Sequence, residues 1–348
     1  MQTVQETDAQ RRARNLAALL DLGFECAPEP LAVEAIPTEK GGWRVSHAVP
    51  SMGTVVTVSV LDESQDRAES ALGRAFAEME RTAALLNRYD AASALGVLNS
   101  ESGLAGAPDE LLQVLHRARG VHLLSNGAFD VTVAPLIDAF REHRDAGHPG
   151  LPAAATLAEA QSRVDASGVV INGRQVRLDD GVDVTLDGIA KGFVVDSMAL
   201  VLAASGVSGY LINGGGDIRT AGTRDGTQPW RVGVRDPDRD GEQLQILPLF
   251  DGAVATSGSY EIYFDRDRTH HHIVSSTGVS PGECRSVTVR APSTMLADAL
   301  ATAAFVAGPQ AGALLVESVP GCSCLVLDAQ GTLRPSASWL PDSRTGAS

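Results

Sequence analysis

The spacing of apolar positions changes period several times along the chain, and each change marks an expected element. In "TVVTVSV" (54–60) valines fall on alternate positions, the two-residue period of a strand with one buried face. Between 64 and 86 the period lengthens, with Ala, Leu, Phe and Met recurring at helical spacing. "APDELLQVLHRARGVHLLSNG" predicts a second helix, with Pro108 and Asp109 suiting its first turn and Asn126-Gly127 its end. Thr156 and Glu159 stand at capping-box spacing in "TLAEAQSRV". Short strands are expected to pair across "NGR" at 172–174. A helix is expected over about 189–205, then a strand that runs into three glycines in "GYLINGGGDIRTAG". From 230 to 289 the pattern is mostly short β segments, and "CSCLVLD" (322–328) reads as a closing strand in which Cys322 and Cys324 are buried.

Helices mixed with hairpin-connected strands predict an α+β fold rather than a doubly wound parallel sheet. Ahead of this body, residues 8–22 have the spacing of an amphipathic helix and a Pro-rich stretch follows. Residues 1–45 are therefore read as an extension, 46–340 as the folded domain and 341–348 as a tail.

One helix breaks its own pattern. "MLADALATAAFVAG" (295–308) is almost wholly apolar, yet Asp298 and Thr302 lie four residues apart on one face. A cap or a solvated acid would explain Asp298 alone. The pair is also a set of hard oxygen ligands suited to Mg²⁺.

Composition narrows the function. The chain has 348 residues, 44% of them hydrophobic and 20% charged, as in an ordinary soluble protein. A formal charge of −15 excludes a broad phosphate-backbone surface, so no nucleic-acid partner is expected. No apolar run is long enough to span a bilayer and the first residues carry no export-type segment, so the expected location is cytoplasmic. The four cysteines form no metal array or disulfide framework. Three adjacent histidines, 270–272, put two on one strand face, but no third ligand stands at zinc spacing.

Other stretches offer chemistry to small ligands. The glycines of "INGGGDIRTAG" match neither a dinucleotide fingerprint nor a Walker loop, yet such turns let backbone N–H groups approach a phosphate. Lys191, at a helix start in "LDGIAKGFVVD", is placed to meet a phosphate, or is a solvated lysine. In "GAFDVTVAPL", Phe129 and Asp130 follow a helix end, where they can flank a ligand or simply form a turn.

The ordered succession "SMGTVVTV", "NRYDAASALGVLN", "GAFDVTVAPL", "LDGIAKGFVVD", "YLINGGGDIRTAG", "ATSGSYEIYF", "HHI" and "ADALATAAFVAG" resembles the ApbE family of FAD:protein FMN transferases, from about 50 to about 330. The resemblance implies a T-fold-like α+β body that binds FAD and Mg²⁺. It implies Mg²⁺-dependent transfer of the FMN half of FAD to a threonine, or serine, hydroxyl of an acceptor flavoprotein, with release of AMP. The implied metal ligands are Asp298, Thr302 and the carbonyl of Gly188. The implied flavin side comprises Met52, Tyr89 and Ala128–Phe129–Asp130, with Lys191 near FAD. His272 falls near the pyrophosphate, and Asp298 and His272 are the implied catalytic residues. FAD hydrolysis to FMN and AMP, or FAD binding without turnover, are the alternatives.

The chain departs from the family at three points, the first being that many members are exported lipoproteins whereas no export signal is read here. Many members carry His-Ile-Ile-Asp-Pro-x-Thr-Gly, whereas His272 here opens "HIVSSTG", one residue shorter, with serines at 275 and 276. The usual Asp-Leu-Gly/Ser before the lysine reads Thr185-Leu186-Asp187, so the carboxylate comes two positions later.

Overall fold

Strands β2 (Trp43–Ser51) and β3 (Thr54–Asp62) form a hairpin whose two-residue tip is Met52-Gly53. Both tip residues have positive φ, 53° and 73°, the type I′ habit that matches the twist of a strand pair. On β3, Val56, Val58 and Val60 are fully buried while Thr57 and Ser59 face the other way, as the alternation predicts. This computed structural model describes residues 33–339 apart from 149, 240, 267 and 268.

The hairpin belongs to a nine-stranded sheet, antiparallel throughout, in the order β1-β2-β3-β7-β8-β11-β12-β13-β14. Here β1 is Glu34–Pro37, β7 Gly209–Gly214, β8 Ile218–Gly222, β11 Gly252–Gly258, β12 Cys284–Ala291, β13 Ser323–Asp328 and β14 Leu333–Pro335. Because β1 pairs with β2, the sheet reaches back into the stretch read as an extension. The helix expected over 8–22 and the tail at 341–348 lie outside the described residues.

Helix α1 (Gln65–Leu86) starts at Ser64, whose hydroxyl accepts from the Arg67 N–H, and packs on the sheet with α6 (Ala190–Ala204). Phe76, Met79, Val195 and Met198 meet Val56, Val58 and Val60 there. A second cluster buries α7 (Thr294–Ala307) against β11, β12 and β13. Every residue of β13 is buried, Cys324 among them, and Cys322 lies buried just before it.

Between β3 and β7 the chain builds a separate layer. It contains α2 (Ala94–Glu101), α3 (Asp109–Leu124), α4 (Ala134–Asp145), α5 (Ala154–Ser162) and a three-stranded sheet of β4 (Gly103–Ala105), β6 (Gln175–Leu178) and β5 (Val169–Asn172). Helix α3 ends as its sequence suggests: Asn126 and Gly127 take positive φ, and the Gly127 N–H donates to the His122 carbonyl at 2.9 Å. The capping box at Thr156 does not form. The two alanines before it extend α5 back to Ala154, so Thr156 sits inside the helix and no side chain caps the start. The pair β9 (Trp230–Arg235) and β10 (Gln243–Leu249) forms its own two-stranded sheet. Helix α8 (Pro309–Glu317) follows α7 directly.

Candidate active site

Helices α6 and α7 cross closely enough to exclude any side chain at Gly192. A Cβ there would stand 2.5 Å from the Thr294 carbonyl oxygen and 2.7 Å from the Met295 Cα. Asp196, one turn further along α6, accepts from the N–H groups of Thr294 and Met295, both at 2.9 Å, and so binds the first turn of α7. Ser293 caps the same turn through the Leu296 N–H.

This crossing sets Asp298 against the start of α6. The Gly192 N–H donates to Asp298 Oδ2 at 3.1 Å, and the carboxyl group is only 4% exposed. No side chain caps α6 at Ile189, so Asp298 meets the positive end of that helix. One turn along α7, the Thr302 hydroxyl lies 3.1 Å from the Ser257 hydroxyl of β11. Gly188 is pressed into the same corner: a Cβ there would come within 3.0 Å of Thr302 Oγ1 and 3.3 Å of the Phe129 ring. Three of the residues read as metal ligands, from two separate stretches, are thus assembled by one helix crossing.

Three further charges gather beside them: Lys191, Asp217 and Glu261. Lys191 Nζ lies 3.1 Å from Asp217 Oδ2, and Asp217, between β7 and β8, is 2% exposed. Asp217, and more weakly Glu261 and Asp298, hold the ammonium charged beyond its ordinary range. Burial, then the neighbouring Asp217 charge, raises Asp298 well above the usual carboxylate range. Burial raises Asp217 and Glu261 as well, with Lys191 opposing in each case.

Two buried carboxylates, Asp298 and Asp217, and the more exposed Glu261 against one ammonium leave the corner short of positive charge. Its donors are hard oxygens: the Asp298 carboxylate, the Thr302 hydroxyl and the Gly188 peptide. Such a set fits Mg²⁺, which takes few protein ligands and keeps positions for water and phosphate. Among the described residues no three His, Cys, Asp or Glu side chains form a metal-holding group.

His272 comes from the long connection between β11 and β12. Its backbone N–H donates to the Ile262 carbonyl at 3.1 Å, and its Nε2 lies 3.8 Å from Glu261 Oε2. Burial first, and the Lys191 charge second, depress its pKa to about 4, so the ring is neutral at neutral pH. Its Nδ1 is buried without a hydrogen-bond partner. The neighbours point elsewhere. His270 pairs with Asp265 at 3.3 Å, while His271 lies in the core, edge-on to Phe305 and 2.9 Å from the Pro281 carbonyl. The Ser275 hydroxyl and N–H both donate to the Val279 carbonyl, at 2.9 and 3.0 Å, and close the turn where the family pattern has a proline.

The residues read as the flavin side divide. Tyr89 is 56% exposed, with the Arg88 and Arg141 guanidinium groups 5.1 and 4.5 Å from its ring centre. Asp187 is an electrostatic neighbour of both Tyr89 and His272, which ties Tyr89 to the same mouth. Met52 sits at a hairpin tip that rests on the glycine loop, since a Cβ on Gly215 would meet Thr54 Oγ1 at 2.4 Å. Phe129, by contrast, is a core residue beneath Gly188. Asp130 Oδ1 accepts from the Thr132 N–H and hydroxyl, at 2.8 and 2.6 Å, and its Oδ2 lies 3.5 Å from His122 Nδ1. Ala128 donates its N–H to Ser125 in the same turn. Phe129 thus packs against the corner formed by Gly188 and Thr302.

Asp217, Glu261 and Ser257 were not singled out from the sequence. For the two acids the signal was present: Asp217 stands directly after three glycines, and Glu261 is a lone acid among apolar and aromatic residues in "SGSYEIYF".

The model of the ApbE family matches residues 52–326. Over 305 residues the chain is 30% identical to the FAD:protein FMN transferase of Klebsiella pneumoniae (strain 342), covering 84% of this chain and 85% of that protein. It is likewise 30% identical to the FAD:protein FMN transferase of Treponema pallidum (strain Nichols), over 84% and 86% of the two chains. Among solved structures, the ApbE protein from Thermotoga maritima superposes with a TM-score of 0.77 at 28% identity, covering 84% of this chain and 97% of that one. The flavin transferase ApbE from Vibrio cholerae gives 0.73 at 26% identity, covering 88% and 98%. With the fold, the ordered motifs and the family match in agreement over most of its length, the chain belongs to the ApbE family.

Proposed function

We propose that the protein is an FAD:protein FMN transferase, which moves the FMN half of FAD to a threonine or serine hydroxyl of an acceptor flavoprotein and releases AMP. The observation that carries the reading is the enclosed corner of Asp298, Thr302 and Gly188 beside Lys191, in a chain of this family. Asp298, Thr302 and the Gly188 carbonyl would hold Mg²⁺, which when bound neutralises pyrophosphate charge as a P–O bond breaks.

The rest of the chemistry falls to the chain's own groups. Lys191, kept charged by Asp217, offers a second cation to the phosphates. The α6 N-terminus points N–H groups and a positive dipole end toward the same place. His272, neutral above about pH 4, is able to take the hydroxyl proton as the acceptor oxygen bonds to the FMN phosphorus. The bond from that phosphorus to the bridging oxygen breaks, and its electron pair leaves with AMP. Proton removal is assigned to His272 rather than Asp298, because one Asp298 oxygen is occupied by the Gly192 N–H and its charge serves the cation. Tyr89, exposed at the mouth, is the aromatic surface for the flavin.

The test is incubation with FAD and Mg²⁺, with and without a threonine-bearing acceptor domain, following AMP release and acceptor mass. An acceptor heavier by one FMN moiety, with matching AMP, is the expected result. AMP and free FMN without an adduct would identify a pyrophosphatase. Intact bound FAD alongside a proven acceptor would identify a binding protein.

A further inference from the structure

Lys191 and Asp298 present a conflict. The residue after Lys191 donates its N–H to Asp298, so one helix start brings an ammonium on a long, pliant arm close to the carboxylate expected to bind a cation. A lysine is a compact charge with three rotatable donors. Paired with Asp298, it would occupy the oxygens a divalent ion needs and cancel the charge that draws the ion in.

We propose that Asp217 is a positioning residue that resolves this conflict: it tethers the Lys191 ammonium and so leaves the Asp298 carboxylate open to the divalent cation. The inference rests on the metal reading given above. Asp217 makes the close contact, 3.1 Å from Nζ, while Glu261 adds charge from farther away.

The position of Asp217 is fixed by the fold rather than by Lys191. Its carbonyl accepts from the Gly214 N–H at 2.8 Å, and the Gly216 N–H donates to Asn213 Oδ1 at 2.8 Å. Added carbons at Gly214 and Gly215 would meet Val195 at 2.8 Å and Thr54 at 2.4 Å, so the loop is wedged between α6 and the β2–β3 hairpin. The three glycines thus have a purpose other than cradling phosphate. They let the loop lie flat enough to set a buried carboxylate against Lys191. Asp217 holds the ammonium, so the Asp298 oxygen not taken by the Gly192 N–H stays open to the metal while Lys191 still faces the phosphates.

The experiment is a titration of the purified full chain with Mn²⁺ alone, reading free Mn²⁺ by electron paramagnetic resonance. Asp217→Asn is expected to weaken Mn²⁺ binding at least tenfold, because the released ammonium turns to Asp298. In a Lys191→Gln background the same substitution should change affinity less than threefold, since no cation remains to be restrained. Glu261→Gln, which removes a charge without freeing the lysine, should have a smaller effect than Asp217→Asn in the unmodified background. Equal losses with and without Lys191, or Asp217→Asn binding within twofold of the unaltered chain, would overturn the tether. If Asp217→Asn does not fold, the Lys191→Gln/Asp217→Asn double variant decides: binding within threefold of the unaltered chain supports the tether, and a tenfold loss overturns it. An unaltered chain that takes up no Mn²⁺ would overturn the metal reading itself, and the tether with it.

Discussion

Asp298 stands on a helix whose first turn is bound by Asp196 and whose crossing with α6 leaves no room for a Cβ at Gly192, whereas His272 stands on a stretch, 259–283, whose described residues form no helix or named strand. Both lie near Lys191, yet the first is held by main-chain packing and the second by a few hydrogen bonds. Around His272 these are the bond to the Ile262 carbonyl, the exchange between His271 and Ser280, and the turn closed by Ser275. Under the proposed function the contrast follows the task. A small, strictly octahedral cation needs ligands fixed to fractions of an ångström, while a group that removes one proton tolerates a looser mount. The helical side should therefore fail through packing, and the loop side through local polarity.

Asp298→Asn tests the metal corner while keeping an acceptor for the Gly192 N–H. FMN transfer should fall about 10³-fold, or about 4 kcal/mol of transition-state stabilisation, with little change in melting temperature. A variant that keeps Mg²⁺-dependent turnover would remove Asp298 from the site. Next in size is Gly192→Ala, whose added carbon meets main-chain atoms of α7 rather than a movable side chain. It should cost about 3 kcal/mol in a urea melt and reduce activity as the crossing opens.

The loop side should show itself in acid. Burial holds the His271 pKa at about 4, and the ring is 3% exposed. Between that value and the ordinary 6.5, the unfolded chain binds a proton that the folded chain refuses, so stability falls as pH drops through this window and levels off below it. From pH 7 to pH 5 this amounts to about 2 kcal/mol. His271→Gln should lose correspondingly less over the same interval, and equal losses would remove His271 as the cause. The smallest effect belongs to Ser275→Ala. Its hydroxyl is exposed, so calorimetry should find a change of about 0.5 kcal/mol.

Period made β3, α1 and α3 legible, because each buries one face against the core, while α7 was legible as a long run of small apolar residues that is buried nearly all round. Asp298 and Thr302 were legible for the complementary reason, as polar residues at positions that packing should have made apolar. Helix α2 was hidden by Gly96, which looks like a breaker; its missing Cβ admits the Asp90 carbonyl, which would otherwise lie 2.1 Å away. Helix α4 was hidden by the turn residues directly before it, although Pro135 suits its first turn. A ring and an acid after a helix end fit either a ligand contact or a turn, and the structure adds that Phe129 is buried and that Asp130 bonds Thr132. Asp217 needed the third dimension, since what distinguishes it from other acids is Lys191, brought near by a crossing the sequence does not display.

The pairing of β3 with β7 carries a consequence for how the molecule assembles. Val56 meets Gly214 and Val60 meets Tyr210 across a seam whose two sides are separated by α1 to α6 and a whole layer of their own. Closing so long a loop adds little to its equilibrium entropy cost, which grows only with the logarithm of length, but contacts this distant slow the search. During synthesis, β3 emerges with one edge bonded to β2 and the other bare until residue 214 has left the ribosome. A bare strand edge is where nascent chains join the wrong neighbour, so the tempo of translation through the inserted layer sets how long this protein stays at risk.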